Sequence, residues 1–447
     1  MIAMLRMSCI YTSSNARTKE FKKAETCEHT FRRSSGRFSK GHYTPRKEEK
    51  LAVGHNLRYT AVMKTRLGVI FGSRSVEHEV SIITACQLMK HVDREKYEVI
   101  PIYISKEGQW LTGSRLEHIE TFKHLELVAQ NAEYPLIASA DTKTSKELTT
   151  SHAIQASLST IDVAIVCCHG TLGEDGTVQG LLELANIPYQ GPGVVGSSIA
   201  MDKIITKKVL EASSFKVANF QWFTSSMWKE DKKNVLQRLL DPKNQGHKQL
   251  SFPLFVKPAN LGSSVGITKA KNEKELEEAI EIATHFDRRI IIEQGLENVI
   301  EINVSVLGFE EYKASVPEQP IATGEILSYA DKYEGGGKKT GGMASLKRRI
   351  PAPIPMSLTK KVQELAIHVA RTCDCSGVIR IDFFVNPETD EIWVGEINTI
   401  PGSMAFYLWE ASGVSYPQLI DELVAIAQKR KAIQQSFTRS ISTTIIT

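Results

Sequence analysis

At 447 residues the chain is too long for one hydrophobic core, so two to four domains are expected. Apolar residues make up 42% and charged residues 24%, and no stretch approaches eighteen unbroken apolar residues, which argues against a helical membrane span. The net charge of +4 is unevenly placed: residues 1–62 hold 13 Lys and Arg against 5 Glu, which leaves about −4 on the rest and no basic surplus for nucleic acid.

Residues 1–62 lack periodicity and are rich in Ser, Thr, Lys and Arg, so a basic, disordered extension is expected there, with Met63 as the functional start. Order is predicted from Arg66: a buried strand over 66–72, a helix over 77–92, and strands over 98–104 and 161–168. Strands alternating with helices predict a parallel-sheet, Rossmann-like domain over 63–190, whose ligands bind at the carboxyl ends of strands. The polar stretch 139–160 reads as a surface loop or insertion. A central unit over 191–300 follows, with a helix at 201–213, an apolar strand at 252–258, a helix at 273–285 and a strand at 289–293. The last unit, 301–431, is predicted to open with a strand over 300–307 and to carry a mobile lid over 328–349, dense in Gly and Lys. A helix at 357–373, strands at 377–385 and 391–397, a closing helix at 415–431 and a tail over 432–447 complete it. The whole is a multidomain mixture of α/β and α+β. Seven cysteines (9, 27, 86, 167, 168, 373 and 375) have no zinc or redox spacing and read as reduced thiols of a cytoplasmic protein.

Four stretches carry candidate chemistry. The string from His169 to Gly180 (HGTLGEDGTVQG) puts four glycines after a buried strand, which permits a tight turn and close backbone approach to a ligand. Its plain alternative is a satisfied histidine beside the helix-capping acids Glu174 and Asp175. The strand ending in Lys257-Pro258 leads to Gly262-Ser-Ser-Val-Gly266, whose N–H groups and hydroxyls suit phosphate oxygens; it is not a Walker A sequence. Arg380 and Asp382 share one strand face, as do Glu396 and Asn398, so pairing of the two strands would gather three oxygen donors suited to Mg²⁺ beside a guanidinium. The alternative there is an Arg380–Glu396 salt bridge of little worth. Finally, the turn Asn398-Thr-Ile-Pro-Gly-Ser403 offers N–H groups to a carboxylate or oxyanion.

From about residue 65 to 430 the sequence resembles D-alanine–D-alanine ligases of the ATP-grasp superfamily. Gly72-Ser-Arg-Ser-Val-Glu-His-Glu-Val-Ser81, the His169 string, Arg380-Ile-Asp and Glu396-Ile-Asn-Thr carry the match. The resemblance implies a two-part ATP-grasp fold after the first domain, and ATP-dependent ligation of two D-alanines through D-alanyl phosphate, for peptidoglycan precursors. It implies that Glu77, with Ser263 and Tyr333, holds the first D-alanine's ammonium, and that His169 lies near its carboxylate. Lys203, Lys257, Ser264 and Lys332 would meet ATP phosphates, Glu293, Gln294 and Leu296 the adenine, and Glu301 the ribose. Asp382, Glu396 and Asn398 would hold two Mg²⁺ (or Mn²⁺), and Arg380 and the Gly402 N–H would face the oxyanion. Ser403, Tyr407 and Leu408 would face the second D-alanine, in a homodimer with neither nucleic-acid nor membrane partners. The sequence departs from the family at Ser73, Ile300, the Gly-rich 334–342 and Met404 to Trp409. The same chemistry with D-serine or D-lactate as acceptor is the near alternative, and a non-catalytic ATP-grasp regulator the distant one.

Overall fold

The computed structural model describes residues 63–125, 128, 134–137, 158–241, 250–321, 347–438 and 441. The predicted N-terminal extension lies outside these residues, as do most of the 139–160 loop and of the lid, with Lys332 and Tyr333.

The first sheet begins where predicted. In β1 (Thr65–Gly72), Leu67, Val69, Ile70 and Phe71 are all fully buried. Such a run suits a strand covered on both faces, and β1 is the centre of the parallel part of its sheet. It pairs in parallel with β2 (Tyr97–Ile104) and with β5 (Val163–Val166). The sheet is not wholly parallel. Short β3 (Trp110–Thr112) and β4 (Tyr134–Ile137) extend the β2 side antiparallel, giving the order β4-β3-β2-β1-β5. The helix α1 (His78–His91) follows β1 and sends Ile82, Ala85, Leu88 and Met89 into the core.

After β5, the short helices α2 (Thr177–Leu184) and α3 (Val194–Met201) lead directly into α4 (Lys203–Ala212). The predicted helix from 201 starts two residues later because Asp202 caps it: Oδ1 accepts from the N–H groups of Ile204 and Ile205, both at 3.0 Å. Asp202 also pairs with Arg289.

The second sheet is antiparallel, ordered β6-β9-β7-β8, from β6 (Phe220–Thr224), β7 (Leu254–Pro258), β8 (Thr268–Ala270) and β9 (Arg289–Gln294). Helices α5 (Ser225–Glu230), α6 (Lys232–Leu240) and α7 (Glu273–Thr284) cover it.

The third sheet, also antiparallel, runs β11-β10-β14-β15, from β10 (Ile300–Phe309), β11 (Glu311–Ala314), β14 (Gly377–Asn386) and β15 (Glu391–Asn398). A two-stranded ribbon, β12 (Gln319–Pro320) with β13 (Arg348–Arg349), joins the ends that flank residues 322–346. The helix α8 (Met356–Thr372) packs on the third sheet. Last come α9 (Phe406–Ala411) and α10 (Tyr416–Ser436), which runs five residues into the predicted tail.

Candidate active site

Most of the predicted site residues line two clefts that share Lys203 and Glu396. The smaller is walled by Glu77, His169, Glu174, Ser263, Arg380, Asn398 and Gly402. Glu77 sits at the N-cap position of α1, and the Ser263 hydroxyl donates to its Oε1. Two glycines make room for it. A Cβ at Gly170 would fall 2.1 Å from Glu77 Oε2, and one at Gly262 would fall 2.7 Å from the same oxygen. Ser263 and Ser264 adopt φ of 53° and 61°, which turns this loop back under the carboxylate.

His169 is buried at the end of β5's exit, with Nε2 at 2.9 Å from Thr84 Oγ1. Thr84 Oγ1 also accepts from Ser403 N–H at 3.1 Å. One α1 hydroxyl thus ties the histidine to the turn after β15. Burial, helped by Arg380, lowers the His169 pKa to about 4, so the ring is neutral at pH 7. Glu174 receives N–H bonds from Gly170 at 2.9 Å and Ile400 at 2.8 Å, and the Thr399 hydroxyl at 3.1 Å. Burial, then the Glu77 carboxylate, push its pKa up to about 7.

The paired strands gather the predicted acidic set. Arg380 stands opposite Asn398, and Asp382 opposite Glu396. The register shifts just beyond Asp382, leaving Gly395 as the extra residue of a bulge, and this keeps Glu396 beside Asp382. The ion pair here is Arg380 with Asp382, Nε to Oδ1 at 2.6 Å and a terminal nitrogen to Oδ2 at 2.7 Å, rather than Arg380 with Glu396. Asn398 Nδ2 donates to Asp382 Oδ2 at 3.0 Å. Lys203 Nζ donates to Glu396 Oε1 and to the Leu261 carbonyl, each at 2.8 Å. Burial disfavours the Lys203 charge, but Glu396 outweighs it and the pKa is raised.

The larger cleft runs between the second and third sheets. Lys257, Ser264, Glu293, Gln294, Leu296 and Glu301 line it, together with Asp382 and Glu396. Lys257 Nζ donates to Glu293 Oε2 at 2.9 Å. Burial alone would raise the Glu293 carboxyl, but Lys207, Lys257 and Lys203 hold it below the ordinary range.

On the far side of Arg380, Tyr407 donates its hydroxyl to Glu318 Oε1 at 3.3 Å, and the Arg348 guanidinium lies 3.8 Å from its ring centre. Arg348 pairs with Glu318 at 2.8 Å. Ser403, with φ of 55°, buries its side chain, and Leu408 is fully buried. The sequence reading passed over Thr84, Lys207, Glu318 and Arg348. Thr84 and Lys207 were legible only as core-facing helix positions.

Among the described residues no cluster of three or more His, Cys, Asp or Glu side chains stands ready for a metal. Two facing carboxylates and an amide nevertheless form a hard-oxygen set of low number, which fits a Mg²⁺ that keeps waters and shares phosphate oxygens.

A cleft with lysines and such a set, opening on a small polar cavity with a carboxylate at one end and a guanidinium at the other, defines an ATP-dependent ligase that activates a carboxylate. The "D-ala D-ala ligase N-terminus" family model matches residues 66–192 and the "D-ala D-ala ligase C-terminus" model residues 192–425. The chain belongs to the D-alanine–D-alanine ligase family. It is 40% identical to the D-alanine–D-alanine ligase of Natranaerobius thermophilus over 373 residues, covering 82% of this chain and 96% of the relative. Its fold is similar to the D-alanine–D-alanine ligase from Coxiella burnetii (TM-score 0.66, 31% identity, 83% of this chain and 96% of the other). It is also similar to the VanG D-Ala:D-Ser ligase from Enterococcus faecalis (TM-score 0.62, 27% identity, 82% and 100%).

Proposed function

We propose that the chain joins two D-alanines in an ATP-dependent reaction through D-alanyl phosphate, supplying a peptidoglycan precursor in the cytoplasm, as a homodimer. The observation that carries this is the pair of clefts meeting at Lys203 and Glu396: a carboxylate bound in the small one abuts the phosphate end of the large one.

The first D-alanine sets its ammonium on Glu77 and Ser263, with neutral His169 offering a hydrogen bond rather than charge. Its carboxylate oxygen attacks the γ-phosphorus of ATP, and ADP leaves. Lys203 and Lys257 offset charge on the phosphates. Asp382, Glu396 and Asn398 would hold Mg²⁺, which supplies further charge neutralisation when bound. The second amine then attacks the acyl carbon. Arg380 and the Gly402 N–H stabilise the oxyanion, phosphate departs, and the amine's proton is lost to solvent. Glu293, Gln294 and Leu296 hold the base, Glu301 the ribose and Ser264 the phosphates, while Ser403, Tyr407 and Leu408 border the acceptor. Lys332 and Tyr333 complete the set by resemblance. The three parallel strands of the first sheet support the Rossmann-like reading of that domain.

The test is ATP-dependent phosphate release with D-alanine alone, and with D-serine or D-lactate added as competing acceptors. Release with D-alanine alone, yielding the dipeptide, is expected. No release with D-alanine sinks the proposal, and preferential capture of D-serine or D-lactate would reassign the acceptor.

A further inference from the structure

The helix α4 presents two lysines one turn apart to the same groove, Lys203 at its first position and Lys207 four residues on. Residues so spaced lie on one helix face. Lys203 reaches Glu396, at the phosphate end. Lys207 reaches Glu293 Oε2, at 3.4 Å, and is with Lys431 one of two buried lysines among the described residues. Nothing in the reaction above uses it.

Glu293 is also buried, on the last turnout of β9 between Phe220 of β6 and Phe255 of β7. Both ammonium groups that touch it, from Lys207 and Lys257, converge on the same oxygen, Oε2. Among the described residues Oε1 takes no hydrogen bond, although Glu293 lines the larger cleft. A carboxylate fixed on one side by two cations and open on the other is an acceptor with a set direction.

Two buried cations on one anion do not arise as a stabilising device. Even balanced buried pairs are often replaceable by apolar side chains without loss, and here burial drives the Lys207 pKa down despite Glu293. The arrangement makes sense if the two lysines have different work. When Lys257 turns to a phosphate, Glu293 needs a second counter-ion to remain ionised and in place.

We infer that Lys207 is the positioning residue for nucleobase selection, holding Glu293 ionised so that Oε1 accepts from the 6-amino group of adenine and repels a 6-oxo purine. This rests on the reading that the larger cleft takes ATP with its base at Glu293. A site built around a buried acceptor rejects a ligand that brings a second acceptor far more strongly than an apolar pocket rejects a wrong shape.

The experiment is calorimetric titration of the full chain with ADP and with IDP, which differ in the 6-amino against the 6-oxo group and in the N1 proton that accompanies the latter, for four proteins: wild type, Lys207→Met, Lys207→Arg and Glu293→Gln. Wild type should prefer ADP by about a hundredfold or more. Lys207→Met should lower that preference by at least about tenfold, Lys207→Arg should restore most of it, and Glu293→Gln should nearly abolish it, because an amide can turn to suit either purine. A wild type that binds both equally overturns the inference. So does a Lys207→Met protein that binds both more weakly by one factor, because that marks a purely structural lysine. If Lys207→Met does not fold, Lys207→Gln, which keeps a long polar side chain without the charge, is read in its place by the same two criteria. Nucleotide binding is read without D-alanine, so failure here and failure of phosphate release with D-alanine are separate results.

Discussion

His169 shows most directly how far a single position can be read from sequence. A histidine followed by glycine after a buried strand marks a candidate site, and the folded chain sets it in a cavity beside Arg380 and Glu174. Its neutrality was not legible, because it depends on burial and on Arg380, which lies more than two hundred residues away in the chain. A consequence can be measured. The folded-state pKa, about 4, lies below the usual 6.5 for histidine, so the unfolded chain binds the proton more readily. The stability this contributes is complete above pH 6.5 and is lost as pH falls toward 4, on the order of 3 kcal/mol when loss is complete. His169→Gln removes the titration. Urea unfolding of both proteins from pH 7 to 4 should show wild type losing its advantage over the variant across that window. A constant difference would mean that the ring titrates normally.

At the scale of elements, the long periodic segments were plain: α7, α8 and α10 begin within a residue of expectation, α7 at its Asn272 cap, α10 at its Ser415 capping box and α8 directly after Pro355. The short pieces were not. β3, β8 and β11 have three or four residues each, too few for a period to show, and they exist because a neighbouring strand offers them hydrogen bonds. α3 was missed for a related reason: its sequence, VVGSSIAM, has a glycine in its middle. The structure explains that glycine. A Cβ at Gly196 would lie 2.5 Å from the carbonyl oxygen of Asp374, just past the end of α8, and backbone cannot swing aside. Gly196→Ala should therefore destabilise the chain by roughly 1–3 kcal/mol from overpacking, reduced by up to about 1 kcal/mol of helix propensity. Because α3 feeds Asp202 and Lys203, the KM for ATP should rise with it. A denaturation midpoint higher than wild type would show that α3 is not wedged there.

For the whole molecule, the sequence reading divided the ordered chain at 190/191 and 300/301. The core that begins at Leu67 and Ile70 of β1 includes Leu307 of β10, Val378 of β14, and Leu419 and Leu423 of α10. No pattern within one segment can reveal a core assembled from strands separated by more than two hundred residues. Arg430 is the polar centre of this junction. It is 6% exposed, on α10, and among the described residues it has no carboxylate partner. Its guanidinium donates to the carbonyls of Gly191 and Tyr189 and to the Ser376 hydroxyl, and it lies 4.1 Å over the Tyr189 ring. One side chain thus joins the segment leaving the first sheet, the strand entry of β14 and the last helix. Arg430→Met keeps the stem and takes the guanidinium donor from the Tyr189 carbonyl, while the Gly191 carbonyl keeps only the Ser376 hydroxyl at 2.7 Å. One buried group left unsatisfied costs roughly 1–3 kcal/mol, so the loss should exceed about 1 kcal/mol in equilibrium unfolding. Because the residue ties pieces that share one core, the transition should stay single while its midpoint falls. An unfolding free energy within about 0.5 kcal/mol of wild type would show that water replaces the guanidinium freely, and two separated transitions would show that the first and third sheets fold as independent units.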